Sequence, residues 1–408
     1  MPILFQINVS ANRGSTGKIT EQIGRNAISH GWICYVAYGR RYHKPSELNV
    51  LKVGTKLSVY EHYFEDRIFD NEGLASRVAT RMLIKKIKSI NPDIIHLHNI
   101  HDHWLNYKIL FEYLNKTNIK VVWTFHDFWA ITGHCTHFVT KKCEKFLKEC
   151  DDCPFTQGKM LPLIKQSKRN FYLKKSQFES NKNLTIVPVS KWVETYVRQS
   201  FLKDKEIRII PNGVDTTIFK PTYNNLASSY SFFDSDEFVI MAVSSQWKSR
   251  SKGLDDYIAM SKLLKADERI VLVGVNDEII SSLPHNIIGV KRTNNQQELA
   301  SLYTRANVIC SFSLAETFGL TIIEGYACGT PAVVYDNTAP PSLISQETGF
   351  VVPNKDYEAA YEAIQKIRRR GKMFYSGSCI QLVREKYNNE ICCNEYVRLY
   401  EELLQQNN

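Results

Sequence analysis

No run of apolar residues in this sequence reaches the eighteen or so that a membrane-spanning helix needs. The longest, such as Arg269 to Val275, have the length of a strand, so the expectation is a soluble or peripheral protein. The opening MPILFQINVSANRG has neither a basic n-region nor a small-residue cleavage site; it reads as a first strand, and a cytoplasmic location follows as an expectation. The Gly-x-Gly-x-x-Gly spacing of a dinucleotide site does not occur after that strand. No internal repeat is present, and no low-complexity tract beyond the closing Gln-Gln-Asn-Asn. The ten cysteines are not expected to form a disulfide scaffold in a reducing compartment. Most, including Cys34, Cys310 and Cys328, sit in apolar runs as small core residues.

What is present is the composition of an ordinary globular chain. It has 408 residues, 43% apolar and 23% charged, enough for two domains or three. The formal charge is +10, and the segment from His134 to Lys182 carries eleven Lys/Arg against five Asp/Glu. Two readings stay open for that segment: a patch meeting nucleic acid, anionic headgroups or a phosphorylated substrate, or a solvated loop with scattered lysines.

Strand patterns recur at Ile3–Val9, Trp32–Tyr38, Ile94–His98, Lys120–Phe125 and Thr185–Val189, separated by helical stretches such as Val78–Ile90. A second series runs Phe238–Ser244, Arg269–Gly274, Asn286–Val290, Asn307–Phe312, Pro331–Tyr335 and Gly349–Val352. Strands alternating with helices predict parallel sheets covered on both faces, an α/β fold. Pro211-Asn-Gly213 punctuates the chain between the series. The predicted domains are 1–212, with a Cys-rich basic insertion at about 134–182 and completed by a returning C-terminal helix at about 388–408, and 213–387. Thr222 to Asp236 has the composition of a linker.

The segment Ser311 to Pro331 places a strand, a polar loop and a helix opening near Gly319. The backbone amides of Phe318, Gly319 and Leu320, with the positive helix end, suit a diphosphate. Glu324, more than one turn in, can accept two hydrogen bonds from a ribose diol, while Glu316, in the loop, is expected to face a sugar. A glutamate at the C-terminal end of a parallel strand lies where open α/β sheets bind ligands. Near the N-terminus, Gly14, Ser15, Thr16 and Gly17 form a glycine-containing loop after the first strand, read either as an anion cradle or as a tight strand-to-helix turn. His126 and Asp127 follow the strand Lys120–Phe125, and His98 and Asn99 end Ile94–His98. A histidine titrates near neutrality and can donate or accept.

Glu316-x7-Glu324 resembles the signature of glycosyltransferase family 4, retaining enzymes of the GT-B fold, in which two Rossmann-like domains face a central cleft. Glu298 to Asn307, Lys252-Gly253, Pro211 to Asp215 and the N-terminal glycine loop match as well. The segment Tyr38 to Arg77 is the least clear. Within the family the chain is most similar to bacterial exopolysaccharide, capsule and colanic-acid-type transferases, which carry a Gly-Ser-Thr-Gly loop and a His-Asp-Phe-Trp followed by cysteines.

The resemblance implies that Glu324 holds the nucleotide ribose and that Glu316, with Thr317 beside it, contacts the transferred sugar. Phe318 to Leu320 would contact sugar and phosphate, and Gly14 to Gly17 would cap the donor. Lys252 would neutralise the leaving diphosphate, and backbone around Gly274 and Val290 would meet the base. The family usually pairs this lysine with an arginine directly after the strand. Ser244-Ser245-Gln246-Trp247 stands there instead, leaving Arg250 or Lys248 as the substitute. His126 would contact the sugar and reaction centre, with His98, Asn99 and Asp127 on the acceptor side.

Cys135, Cys143, Cys150 and Cys153 place four thiols in nineteen residues, which predicts a structural zinc site, with oxidisable or disulfide-forming thiols and unliganded thiols as the alternatives. Catalysis itself is expected to need no metal or other cofactor, since Lys252 and a helix terminus can stabilise the leaving group. The function implied is transfer of a sugar from a nucleoside-diphosphate sugar to a glycan acceptor linked to polyprenyl diphosphate, in bacterial surface polysaccharide biosynthesis. Peripheral contact with the anionic inner membrane is expected, and nucleic acid is not. The alternatives are a GT-B epimerase or sucrose-type synthase sharing the donor site, and a non-catalytic nucleic-acid- or membrane-binding protein.

Overall fold

A computed structural model describes residues 1–39, 44–153, 162–222, 230 and 237–406. The expected linker Thr222–Asp236 therefore lies mostly outside the described residues, as does 154–161 of the basic insertion. Two compact units emerge: Met1–Pro211 together with Cys392–Asn408, and Asn212–Ile391.

The first unit is a seven-stranded sheet of β1 (Ile3–Asn8), β2 (Ile33–Tyr38), β3 (Asn49–Lys52), β4 (Ile94–Leu97), β5 (Lys120–Phe125), β6 (Leu184–Pro188) and β7 (Glu206–Ile207), in the order β3-β2-β1-β4-β5-β6-β7. Every pairing is parallel. All residues of β4 and β6 are buried, the near-continuous apolar run that a sheet covered on both faces demands. The second unit holds β8 (Phe238–Val243), β9 (Glu268–Val273), β10 (Ile287–Val290), β11 (Val308–Ser311), β12 (Ala332–Tyr335) and β13 (Gly349–Val352) in the order β10-β9-β8-β11-β12-β13, again all parallel.

Each order reverses once, between β1 and β4 and between β8 and β11. A reversal leaves a crevice beyond the carboxyl ends of the two strands where the connections part to opposite faces, and each unit carries its polar residues there. The C-terminal helix Asn389–Gln405 belongs mainly to the first unit. In it Tyr396 shares a hydrogen bond with Thr124 at 3.0 Å and Tyr400 one with His96 at 2.7 Å.

Three helices matter below: α1 (Gly14–Ser29), α2 (Lys56–Phe69) and α3 (Arg77–Ile90). The helix α1 begins at Gly14, so Gly14, Ser15, Thr16 and Gly17 form its first turn and not the loop before it. Gly14 sits at φ +70°, and Gly17 is required for space, since a Cβ there would meet the Ser10 hydroxyl at 2.9 Å and its carbonyl at 3.0 Å. Two edge strands, β3 and β7, were not expected.

Candidate functional site

In the second unit, the connection after β8 and the connection after β11 meet at the switch point. The first winds through Trp247, whose indole donates to the Val273 carbonyl at 2.8 Å, into a single 3-10 turn, Arg250–Lys252. Gly253 ends that turn at φ +72°, and a Cβ there would meet the Phe312 carbonyl at 2.5 Å. Only glycine lets the two connections touch. The second connection is anchored by the Leu314 amide donating to the Ser251 carbonyl at 2.7 Å. As a result Lys252 Nζ lies 2.6 Å from Glu316 Oε1 and 3.3 Å from the Ser313 hydroxyl. Both ionic side chains are partly accessible, at 18% and 29%.

From Glu316 the chain passes Thr317 and buried Phe318 to Gly319, whose φ of +114° starts the helix Leu320–Ala327. That helix has no side-chain cap, and within its first turn the Ile322 amide donates to the Gly319 carbonyl at 3.0 Å. Glu324 is its fifth residue, and Tyr303, from the helix Gln296–Arg305, donates its phenol to Glu324 Oε2 at 3.1 Å. Thr338 adds a hydroxyl 3.3 Å from the Glu316 amide. Gly274, at φ +92°, donates its amide to the Val290 carbonyl at 2.8 Å, and a Cβ on it would lie 2.1 Å from the Ser244 carbonyl. Lys248 is exposed and paired with Glu278, while Arg250 is exposed within the turn carrying Lys252.

The first unit gathers imidazoles instead. A pocket is lined by His98, Asn99, His101, His126, Asp127 and Trp129, among others. His98 is buried, with Nδ1 3.2 Å from His126 Nε2 and Nε2 3.1 Å from Gln6 Oε1. Gln6 sets the direction of this chain. Its amide nitrogen donates to the Thr20 carbonyl at 3.0 Å, so the oxygen facing His98 can only accept. His98 therefore carries its proton on Nε2 and accepts on Nδ1, and His126 donates from Nε2, leaving its Nδ1 as an acceptor. Burial holds His126 down at about 4 and His98 well below the usual imidazole range, which keeps both neutral. His98 spends both ring nitrogens inside the protein.

Beside this neutral chain lies a charged one. His101 Nε2 is 2.9 Å from Asp127 Oδ2, and the Trp129 amide donates to Asp127 Oδ1 at 2.9 Å. Burial opposes charge on both, yet their mutual attraction wins, raising His101 and lowering Asp127 to about 2. His103, between Asp102 and Asp66 at 3.0 Å each, is raised to about 9 against burial by those two hydrogen bonds. His101 was not singled out from the sequence, and neither were Gln6 and Tyr303.

The expected zinc site is not assembled. Among the described residues no three His, Cys, Asp or Glu side chains are arranged to hold a metal ion. Cys135, Cys143, Cys150 and Cys153 are free thiols. Burial pushes Cys135 up to about 12 and Cys150 to about 11. The basic insertion is also less available than its charge suggested. Lys145 bonds the carbonyls of Asp151 and Asp152, and Lys168 pairs with Glu149 at 3.0 Å. Lys174 is buried 3.5 Å above the Trp129 ring and donates to the Trp129 carbonyl at 2.7 Å.

Two parallel-sheet units of this topology define the GT-B class. The solved structure of sucrose-phosphate synthase from Thermosynechococcus elongatus matches with a TM-score of 0.74 at 18% identity, over all of both chains. Two family models match the sequence, Glycosyltransferase Family 4 over residues 20–218 and Glycosyl transferases group 1 over residues 237–369. The chain belongs to the family 4 glycosyltransferases and is a nucleotide-sugar-dependent enzyme. Among curated relatives, "Putative colanic acid biosynthesis glycosyl transferase WcaC" of Escherichia coli is 20% identical over 98% of this chain and 100% of its own length. "Alpha-monoglucosyldiacylglycerol synthase" of Acholeplasma laidlawii is 24% identical over 80% of this chain and 79% of its own.

Proposed function

We propose that the chain transfers a sugar from a nucleoside diphosphate to a hydroxyl of a polyprenyl-diphosphate-linked glycan, with retention of configuration, at the cytoplasmic face of a bacterial membrane during surface polysaccharide assembly. The observation that carries this reading is the meeting of Lys252 and Glu316 at 2.6 Å before the uncapped helix that bears Glu324. In the free enzyme the carboxylate holds the ammonium. When donor binds, the diphosphate takes the lysine and Glu316 turns to the sugar hydroxyls. Glu324, oriented by Tyr303, receives the ribose diol, and the amides of Phe318 to Leu320 receive phosphate oxygens. Gly274 and Val290 border the base. Arg250 is the better candidate for a second phosphate cation, because Lys248 is already paired.

Charge develops on the leaving diphosphate as the bond to the anomeric carbon breaks, and a fixed cation with oriented amides stabilises it where it forms. The acceptor oxygen attacks from the face the diphosphate leaves, and its proton passes to the departing phosphate oxygen. Bond made and bond broken lie on one side, which retains configuration. His126, held neutral, can orient a hydroxyl without adding charge. The membrane-linked acceptor is supported by the relative named for a glucosyldiacylglycerol.

Calorimetry across a panel of nucleotide sugars tests the donor half. One donor should bind, and Glu324→Ala should weaken it by about 30- to 100-fold, the loss of a bidentate charged hydrogen bond. Unchanged affinity would end this reading. The anomeric coupling of the product, by NMR, tests retention. Preference for a soluble sugar phosphate over a lipid-linked acceptor would favour a sucrose-type synthase.

A further inference from the structure

The helix α2 is inverted. Its buried residues are His62 and Asp66, whereas Leu57, Tyr60, Phe64 and Ile68, spaced three or four apart along one stripe, face outward. A surface helix of a globular protein ordinarily does the reverse. The exposure is large where it counts, with Leu57 at 67%, Phe64 at 61% and, on the neighbouring α3, Val78 at 68%. The helices are fastened together by Arg77 to Glu65 at 2.7 Å and by His62 to Ser76 at 2.8 Å. Past the end of α2, the amides of Leu163 and Ile164 donate to the carbonyls of Arg67 and Ile68, setting another outward leucine beside the stripe. Half of the large exposed hydrophobic residues described in the whole chain fall on these two helices and this short segment. A patch of this kind marks an interaction surface.

Its charge says which kind. The helix α3 carries Arg77, Arg81, Lys85, Lys86 and Lys88 and no acidic residue. A second copy of this chain docked across a two-fold axis would bring these cations against one another. Nucleic acid would satisfy the cations but leave Leu57, Val78 and Met82 in water. An anionic bilayer satisfies both, taking the apolar stripe into the headgroup boundary and the basic residues onto lipid phosphates. We propose that the α2–α3 face docks this enzyme on an anionic membrane surface. This deepens the reading of a membrane-linked acceptor and places the contact on α2 and α3, not on the Cys-rich basic insertion, whose lysines are partly committed within the protein.

The test is co-sedimentation of the full chain with vesicles of phosphatidylcholine alone and with phosphatidylglycerol added. Binding is expected only with the anionic lipid. Arg81→Glu with Lys85→Glu should lower partitioning at least about 25-fold, since each basic residue at such a surface is worth about fivefold. Leu57→Ser with Phe64→Ser should lower it at least about tenfold, whereas Lys141→Ser with Lys148→Ser should change it by less than the α3 pair. All six positions lie outside the buried core, so the variants keep their melting temperature and nucleotide-sugar affinity, which shows that they are folded. Equal binding to neutral vesicles, binding that survives the α2 and α3 changes, or a wild-type dimer in light scattering that the same changes dissociate would each overturn the proposal. Glu324→Ala separates the two readings. It should weaken donor binding by the same factor as above and leave vesicle binding intact, so a wild-type chain that binds vesicles but no nucleotide sugar would refute the proposed function and not this surface.

Discussion

Both sheets reverse their winding, but the residues collected at the two reversals differ in kind. In the second unit the polar groups are a lysine and two glutamates, partly accessible, with Lys252 paired to Glu316 and Tyr303 donating to Glu324. In the first they are two neutral imidazoles, of which His98 is fully buried, and an ionised histidine–carboxylate pair, each held by a partner brought from far along the chain. The difference reflects what each must do. A group that meets a doubly charged phosphate has to be ionised and able to exchange its partner, and partial exposure keeps that exchange inexpensive. A group that orients a neutral hydroxyl needs a fixed tautomer, which burial and a chain of hydrogen bonds provide.

If this contrast is right, the largest effect should come from the exchangeable pair. Lys252→Ala removes the cation proposed to face the leaving group, and kcat should fall about 10²- to 10³-fold, the scale seen when one preorganised oxyanion donor is lost. Donor affinity should fall less than kcat. A single-turnover assay with saturating donor reads this directly, and equal losses in affinity and rate would mean that Lys252 only binds.

The imidazole chain should be the next most sensitive. Gln6→Leu removes the acceptor that fixes His98, leaving His98 free to reverse its tautomer and His126 without a defined direction; kcat should fall about tenfold with little change in donor affinity. Nitrogen NMR of the imidazoles would show the tautomer change, which a merely structural substitution does not produce. The pH profile sharpens the point. With His126 held down at about 4, kcat/KM should stay flat as pH falls from 8 to about 5. A limb near 6.5 would show an unperturbed imidazole and break the contrast. The stability signs are opposed. His126, lowered on folding, contributes stability above the unfolded value of about 6.5 that is lost as pH falls toward 4. His103, raised to about 9, contributes below 6.5 and loses its contribution as pH rises through 9.

How much of this could be read from the sequence follows the same divide. The strands of both sheets were legible because parallel strands covered on both faces are short apolar runs between turns, and Lys120–Phe125 and Gly349–Val352 begin and end as expected. The edge strands β3, with Asn and Lys at its ends, and β7, of two residues, carry no such run. Glu316, Gly319 and Glu324 could be singled out together because they lie within nine positions on one strand–loop–helix element, and the resemblance to family 4 supplied the roles proposed for them. Gln6, Thr20, His98 and His126 span 120 residues and come together only because β1, β4 and β5 are adjacent in the sheet. The cysteines show the opposite error, since close spacing suggested a metal site that the described side chains do not form. Proximity in sequence does not by itself arrange four side chains around one point.

The smallest effect tests whether the donor site is preset or assembled by the ligand. Tyr303 donates one hydrogen bond to Glu324 from a buried position where its own phenol is pushed well above its usual range, by burial first and then by the neighbouring carboxylate. Tyr303→Phe removes that bond and changes neither charge nor packing volume. If the phenol only orients the carboxylate, the nucleotide-sugar Kd should rise about fivefold, one hydrogen bond to a charged group being worth about 1 kcal/mol here after Glu324 gains its new partners. The enthalpy of binding should change more than the affinity, because a freed carboxylate must be ordered by the ribose itself. A rise as large as that expected for Glu324→Ala would mean instead that Tyr303 touches the nucleotide. No change would mean that Glu324 keeps its direction without the phenol.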